Sequence, residues 1–174
     1  TLFWVEILNQ QLTVFPKKGT GRMMTNAGHS RSIGAELTAT CSYRGLSANV
    51  NYGYTNARFV KFDNGHTDFS GKYVPYVPAN TLSASVAYSL PFNHTFFRSL
   101  DFNVNVSAYG DIWWNEDNSL KQPFYALLGA NLALNMKGFS VEFWGKNLTN
   151  TKYNTFYFVS MGNAFLQSGK PITF

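Results

Sequence analysis

Three histidines, His29, His66 and His94, are the residues of this 174-residue chain best suited to metal binding or general-base work. Each sits in a separate link, and none has a second ligand at metal spacing. His29 precedes Ser30, a pairing that a hydrolase would need. Nucleophile and base must also converge with an orienting third group, and nothing in the sequence singles one out. Gly19 and Gly21 lack the third glycine and the strand-turn-helix setting of a phosphate loop. The chain therefore reads as a non-enzyme with no resident cofactor or metal. What remains is binding chemistry. Arg58 and Lys61 flank Phe59, Tyr73, Tyr76 and Trp113 follow, and Tyr153, Phe156 and Tyr157 come last. Cations among aromatic faces suit a large, often anionic ligand. The same residue types also serve as interfacial anchors and loop packing.

The elements that must position these residues are strands. Residues 100–114 place Leu100, Phe102, Val104, Val106, Ala108, Ile112 and Trp114 on one side, with Asp101, Asn103, Asn105, Ser107 and Asp111 on the other. This is the period of a strand with one apolar and one wet face. It persists beyond the five or six residues usual in a soluble sandwich, and a tilted membrane-spanning strand needs about 9–11 residues. Residues 32–43 alternate in the same way, with Ile33, Ala35, Leu37, Ala39, Cys41 and Tyr43 against Ser32, Gly34, Glu36, Thr38, Thr40 and Ser42. Further strands are predicted over 48–55, 82–90, 124–136 and 139–146, and one of undecided facing over 2–15. Leu82, Val86, Phe102, Val104, Leu132, Leu134 and Val141 are expected on one face of a single sheet, with Ser83, Asn103, Asn131 and Glu142 on the other.

Composition agrees with strands that meet lipid. Hydrophobic residues make up 45% and aromatics 17%, but charged residues only 13%, against about 25% in an ordinary soluble domain. Much of the outside is then expected not to face water. No run of about 18 apolar residues exists, which leaves a closed barrel as the spanning alternative. The net charge of +5 is scattered, with no basic tail or stripe for nucleic acid. Cys41 falls on the apolar parity and reads as a small hydrophobe.

The links are sorted by length. Short ones at 44–46 and 137–138 and a moderate one at 91–98 interleave with long ones near 16–25, 63–77, 115–123 and 149–163. Short turns on one rim and long loops on the other are the habit of outer-membrane barrels. The residue pattern thus predicts an all-β, antiparallel up-and-down transmembrane barrel segment. A soluble ligand-binding β-barrel is the competing architecture.

Asn26-Ala27-Gly28 followed by residues 30–37, Gly71-Lys72-Tyr73-Val74-Pro75-Tyr76-Val77-Pro78 before Thr81-Leu82-Ser83, Lys146-Asn147-Leu148-Thr149-Asn150 with Tyr153, and Gly169-Lys170-Pro171 occur in that order. This succession resembles the C-terminal β-barrel portion of TonB-dependent outer-membrane receptors, particularly those of Bacteroides-like bacteria. The resemblance implies that residues 1–174 are seven to eight strands of a larger barrel of about 22 strands. It implies that the plug domain and the final strand are absent from the chain. The opening residue Thr1, with no signal peptide, fits an internal piece. The start of an eighth strand is expected over 165–174, and both sheet edges are expected to stay open.

The implied function is uptake of a scarce nutrient such as a ferric siderophore, haem or cobalamin at the bacterial outer membrane. The implied partners are outer-membrane lipid, the TonB complex through the plug, and a metal chelate or other nutrient. Ligand contact would fall to Arg58, Lys61, Tyr73, Tyr76, Trp113, Phe156 and Tyr157 on the loop-bearing rim. A passive porin or a structural outer-membrane barrel is the alternative function.

Overall fold

The computed structural model describes residues 1–9, 11–14, 23–26, 28–64, 67–160 and 162–174. Its strands are β1 (Leu2–Leu8), β2 (Gln11–Val14), β3 (Met23–Asn26), β4 (His29–Tyr43), β5 (Leu46–Lys61), β6 (Asn80–Pro91), β7 (Phe97–Tyr109), β8 (Ile112–Trp113), β9 (Lys121–Gln122), β10 (Tyr125–Met136), β11 (Ser140–Gly145), β12 (Asn154–Ser160) and β13 (Asn163–Ser168). Seven of them form one sheet in the order β1-β4-β5-β6-β7-β10-β11, and all its pairings are antiparallel. The other six make three hairpins, β2-β3, β8-β9 and β12-β13, all set in links at the same end of the sheet. Among the described residues β1 and β11 remain the sheet's edges, as expected.

The register confirms the two faces. Val50, Ala84, Val106 and Leu128 stand side by side across β5, β6, β7 and β10, and so do Ala48, Val86, Val104 and Ala130. One residue out of step lies the wet row of Thr40, Asn49, Ser85, Asn105 and Gly129. Among the described residues no second layer covers the apolar face, where Leu37 is 62% exposed, Val86 51% and Val104 47%. A water-soluble sandwich would bury such a row, so its natural solvent is hydrocarbon. Cys41 lies exposed on this face as a free thiol.

The polar face is tied together by its own amides and hydroxyls. Thr38 Oγ1 donates to Asn51 Oδ1 at 3.0 Å, Asn49 Nδ2 to Thr40 Oγ1 at 3.0 Å, and Ser89 Oγ to Asp101 at 2.6 Å. Asn135 Nδ2 reaches Ser99 Oγ at 3.0 Å and Asp101 at 2.5 Å, and Asn131 Nδ2 donates to Glu142. Few charges are needed on a wall satisfied in this way.

Turn chemistry explains the narrow rim. Arg44 and Gly45, at φ 44° and 84°, join β4 to β5 in two residues, the backbone that matches hairpin twist. Residues 92–96 link β6 to β7, and Lys137-Gly138-Phe139 links β10 to β11. Exposed Tyr43, Tyr88, Phe92, Phe96, Phe97 and Phe139 gather at this end as an aromatic belt. The largest fully buried side chains, Phe59 and Phe62, lie at the opposite end, where Phe69 and Val74 of the β5–β6 link pack on them.

Four expectations are corrected. The first strand stops at Leu8, because Asn9 adopts φ 54° and gives its N–H to Gly28; residues 11–14 then pair with 23–26 in a separate hairpin. The long alternation of 100–114 is interrupted at Gly110, whose N–H closes on the Asn80 carbonyl at 2.7 Å, so Ile112 and Trp114 keep the parity but are buried among the loops. Residues 163–168 pair with β12 and not with the sheet, and an eighth strand is announced only by the Lys146–Thr173 bridge beside β11. His29 is not in a link but opens β4, where it contacts Glu6. Gly19, Gly21, His66 and residues 16–22 of the long link predicted near 16–25 lie outside the described residues.

Candidate functional site

The long-link end carries three aromatic clusters, each built by a different part of the fold. The first stands on the polar face of the sheet. Tyr109 and Tyr125 are cross-strand partners on the row of Glu36, Gly53 and Thr81, and their rings stack at 5.1 Å. Tyr153 of the β11–β12 link continues the stack on Tyr125 at 4.6 Å, with 15° between the ring planes. Gly169 permits this, since a Cβ there would enter the Tyr153 ring. Below the stack opens a cleft of 680 Å³ lined by Asn105, Asn131, Glu142, Trp144, Lys146 and Lys170. Lys146 Nζ lies 5.2 Å from the Trp144 ring.

Asn147 fixes the base of that link. It is buried, sits at φ 51°, donates to the carbonyls of Thr151 and Lys170 at 3.0 Å each, and accepts from Thr151 N at 2.9 Å. Asn150, at φ 49°, accepts from Ile172 N at 3.2 Å. Both short amides tolerate the left-handed backbone that a β-branched residue would resist.

The second cluster ties three links into one hub. Tyr76, at φ 64°, gives its N–H to Trp113 O at 2.8 Å and its hydroxyl to Tyr157 O at 3.1 Å. Its ring stacks on Phe156 at 5.5 Å and tilts against Trp114 at 5.5 Å. A positive φ at a bulky residue is strained, and here contacts from two other links hold it. Burial, with the charge of Glu116 second, pushes the Tyr76 phenol up. Burial also raises the Glu116 carboxyl above its ordinary 4.5, with Asp117 adding repulsion.

A carboxyl whose folded pKa is raised binds its proton more tightly in the packed state. The hub therefore gains stability as pH falls through the raised value and loses it as Glu116 charges. Amide protection factors across 110–120, corrected for the intrinsic pH dependence of exchange, should rise on acidification above pH 4.5. In Glu116→Gln they should be high and flat across that window; a variant that keeps the wild-type slope would refute the assignment.

The third cluster is a ladder of Arg58, Tyr73, Trp113 and Lys121. The Arg58 guanidinium lies 3.8 Å from the Tyr73 ring centre, Tyr73 and Trp113 stack at 6.3 Å, and Lys121 Nζ is 5.4 Å from Trp113. Asn118 clasps Tyr73 from both sides, accepting its N–H at 2.7 Å and donating to its carbonyl at 3.0 Å. Arg58 follows Val50, Tyr52, Tyr54 and Asn56 at every second position of β5, so this ladder belongs to the apolar outer face and stands above it.

Of the seven residues singled out from sequence, Tyr76, Phe156 and Tyr157 thus meet in the hub, while Arg58, Tyr73 and Trp113 meet on the outer wall. Lys61 ends β5 across a register shift from His29 and joins neither cluster among the described residues. Tyr109, Tyr125, Trp144, Lys146 and Lys170 went unselected. The first four have wet parity in strands otherwise lined by Asn and Ser, and that was the signal available.

A single-layer antiparallel sheet with an uncovered apolar face, a hydrogen-bonded polar face, tight turns at one end and packed links at the other is part of a transmembrane β-barrel wall. The chain belongs to the TonB-dependent receptor-like β-barrel family, whose pattern matches residues 1–148. It is similar to the ferric yersiniabactin uptake receptor FyuA from Yersinia pestis, with a TM-score of 0.80 at 22% identity over 98% of this chain and 25% of that one. BauA, the ferric preacinetobactin receptor from Acinetobacter baumannii, gives 0.68 at 18% over 98% and 25%. The siderophore receptor PiuA from the same organism gives 0.72 at 15% over 98% and 24%. The chain therefore spans about a quarter of the length of these receptors. The family and these neighbours are transport receptors, not enzymes.

Proposed function

We propose that this chain forms part of the wall and outer loops of a bacterial outer-membrane receptor that takes up a ferric siderophore, with TonB acting through a plug that fills the lumen. The observation that carries the reading is the joining of three links around Tyr76 at the mouth of a polar wall, in a chain of this family. A plug needs a wall it can slide on, and a lattice made mostly of amides and hydroxyls, with Asp101 and Glu142 already held within it, releases a partner more readily than a set of buried ion pairs. Tyr76, Phe156, Tyr157 and the Tyr109–Tyr125–Tyr153 stack supply aromatic surface for the apolar parts of a bulky chelate, and Lys146 and Lys170 supply positive charge.

The test is uptake by cells that express the receptor containing this chain, with ferric yersiniabactin or ferric preacinetobactin as sole iron source. Uptake should stop when the proton gradient is collapsed, and Tyr76→Ala should weaken binding about ten-fold, in line with an aromatic anchor. Uptake that persists without the gradient would identify a passive porin instead.

A further inference from the structure

We propose that the short-turn rim carries a docking site for the headgroup of an anionic glycerophospholipid, built on Arg98 and His94 beside a cleft between Phe92, Phe97 and Leu134. The proposal rests on the outer-membrane reading above, which puts this rim in the periplasmic leaflet. Its first support is height. On β7 the outward positions run Leu100, Phe102, Val104, Val106 and Ala108, and that span matches the about 9–11 residues of one hydrocarbon crossing. Arg98 is the next outward position beyond the band. Ser99 pairs with Asn135 and Phe97 with Met136, so Arg98 is the extra residue of a β-bulge, and its carbonyl accepts the Phe92 N–H at 2.8 Å. The strand thus delivers a guanidinium to the headgroup layer.

The second support is electrostatic. Arg44, Arg98 and Lys137 all stand at this rim, and among the described residues no carboxylate lies within ion-pair distance of any of them. Asp101 and Glu142, on the adjoining strand ends, face the lumen and are already bonded to Ser89, Asn135 and Asn131. With no carboxylate to receive an ammonium group, the rim suits a headgroup of net negative charge and not a zwitterion. His94 adds a directed donor. Its Nδ1 accepts the N–H of Phe96 at 3.1 Å and of Phe97 at 3.3 Å, so the ring proton sits on Nε2, which has no protein partner among the described residues. A guanidinium and an imidazole N–H side by side can share the two free oxygens of a phosphodiester.

The third support is shape. A cleft of 470 Å³ opens between Phe92, Asn93, His94, Phe97 and Leu134. Leu134 stands in the outward row with Leu100 and Leu90, so the cleft leads from the headgroup layer into the apolar band. Its walls are braced by the His94 ring against Phe97 at 5.5 Å and by Phe96, which meets Phe97 and Phe139 edge-on. A glycerophospholipid offers both parts at once, a phosphate for the donors and an acyl stem for the cleft. A plug drawn toward the periplasm loads this rim, and headgroups bound there would seat the barrel against that load.

The experiment uses the receptor that contains this chain, reconstituted in phosphatidylcholine nanodiscs doped with equal amounts of phosphatidylglycerol and phosphatidylethanolamine of matched acyl chains. After transfer to detergent, retained lipid is counted by native mass spectrometry per receptor that migrates as a folded, heat-modifiable band. Wild type should retain phosphatidylglycerol roughly five-fold over phosphatidylethanolamine. Arg98→Gln should abolish that preference, Arg98→Lys should keep part of it, and Lys152→Gln at the opposite rim should leave it intact. A phosphatidylglycerol with a photoreactive group near its glycerol should label residues 92–97 of the wild type. Equal retention of the two lipids by wild type overturns the proposal even if no variant folds, as does a preference that survives Arg98→Gln or label confined to segments outside this rim. So does loss of the preference to inorganic phosphate but not to chloride at equal ionic strength, which would mark a site for free anions. A receptor that inserts into no nanodisc refutes the outer-membrane reading itself, whereas insertion without preference refutes the lipid site alone.

Discussion

Val104→Arg should cost about 2–4 kcal/mol of folding free energy in lipid vesicles, and Asn105→Arg, one residue along the same strand, much less. Val104 stands between Val86 and Ala130 near the middle of the outer face and is 47% exposed with no protein above it. An arginine there either holds its charge in hydrocarbon or thins the bilayer to reach water. Asn105 points into the wet row beside Ser85 and Gly129, where an arginine can stay hydrated. A denaturant titration of the vesicle-inserted barrel measures both. Equal losses would mean that Val104 faces a protein core and that the face was assigned to the wrong solvent.

Replacing Asn147 by alanine should cost about 2–4 kcal/mol, measured by thermal or denaturant unfolding. The partly buried carbonyl bonds to Thr151 and Lys170 and the bond from the N–H of Thr151 are lost together. Each such unsatisfied group is worth about 1–3 kcal/mol, discounted here because the link can relax toward water. Alanine at φ 51° adds roughly 1 kcal/mol of backbone strain. Asn147→Gly should recover only the backbone share, because glycine accepts the positive φ but restores no hydrogen bond. Asn147→Asp should keep the bond from Thr151 N while it loses both donated ones. A change under about 0.5 kcal/mol for alanine would show that the link is not pinned there. Expected consequences beyond stability are a loosened β12–β13 hairpin and loss of the Tyr153 ring from its stack on Tyr125.

The two predictions differ in how they could be reached. Val104 and Asn105 are legible from alternation, because in a strand the facing of a side chain is a local property with a period of two. Asn147 is not. Within its own segment it reads as a polar loop residue, and the resemblance of Lys146-Asn147-Leu148-Thr149-Asn150 to a family pattern marks it without saying what it holds. Its partner Lys170 lies 23 positions away, beyond an entire hairpin.

By itself the sequence determined the sheet, its two faces, the sorting of short and long links and the family, because each is written in local periodicity, turn residues or ordered motifs. It misjudged where strands leave the sheet. At Gly110 the apolar parity runs on, and at Asn9 a strand-like stretch of undecided facing does, but backbone bonds to Asn80 and Gly28 divert the chain, and the residue pattern carries no record of them. Only the tertiary structure decided how the rim residues divide. Arg58, Tyr73 and Trp113 look like companions of Tyr76 and Phe156 in composition and in height. The strand pairing sends the first three to the outer wall and the others into the loop hub, and the Arg31–Arg58 contact arises from a register that brings together residues 27 apart. The physical reason is that facing propagates along a strand, whereas a link has no period, and its side chains point where distant partners hold them.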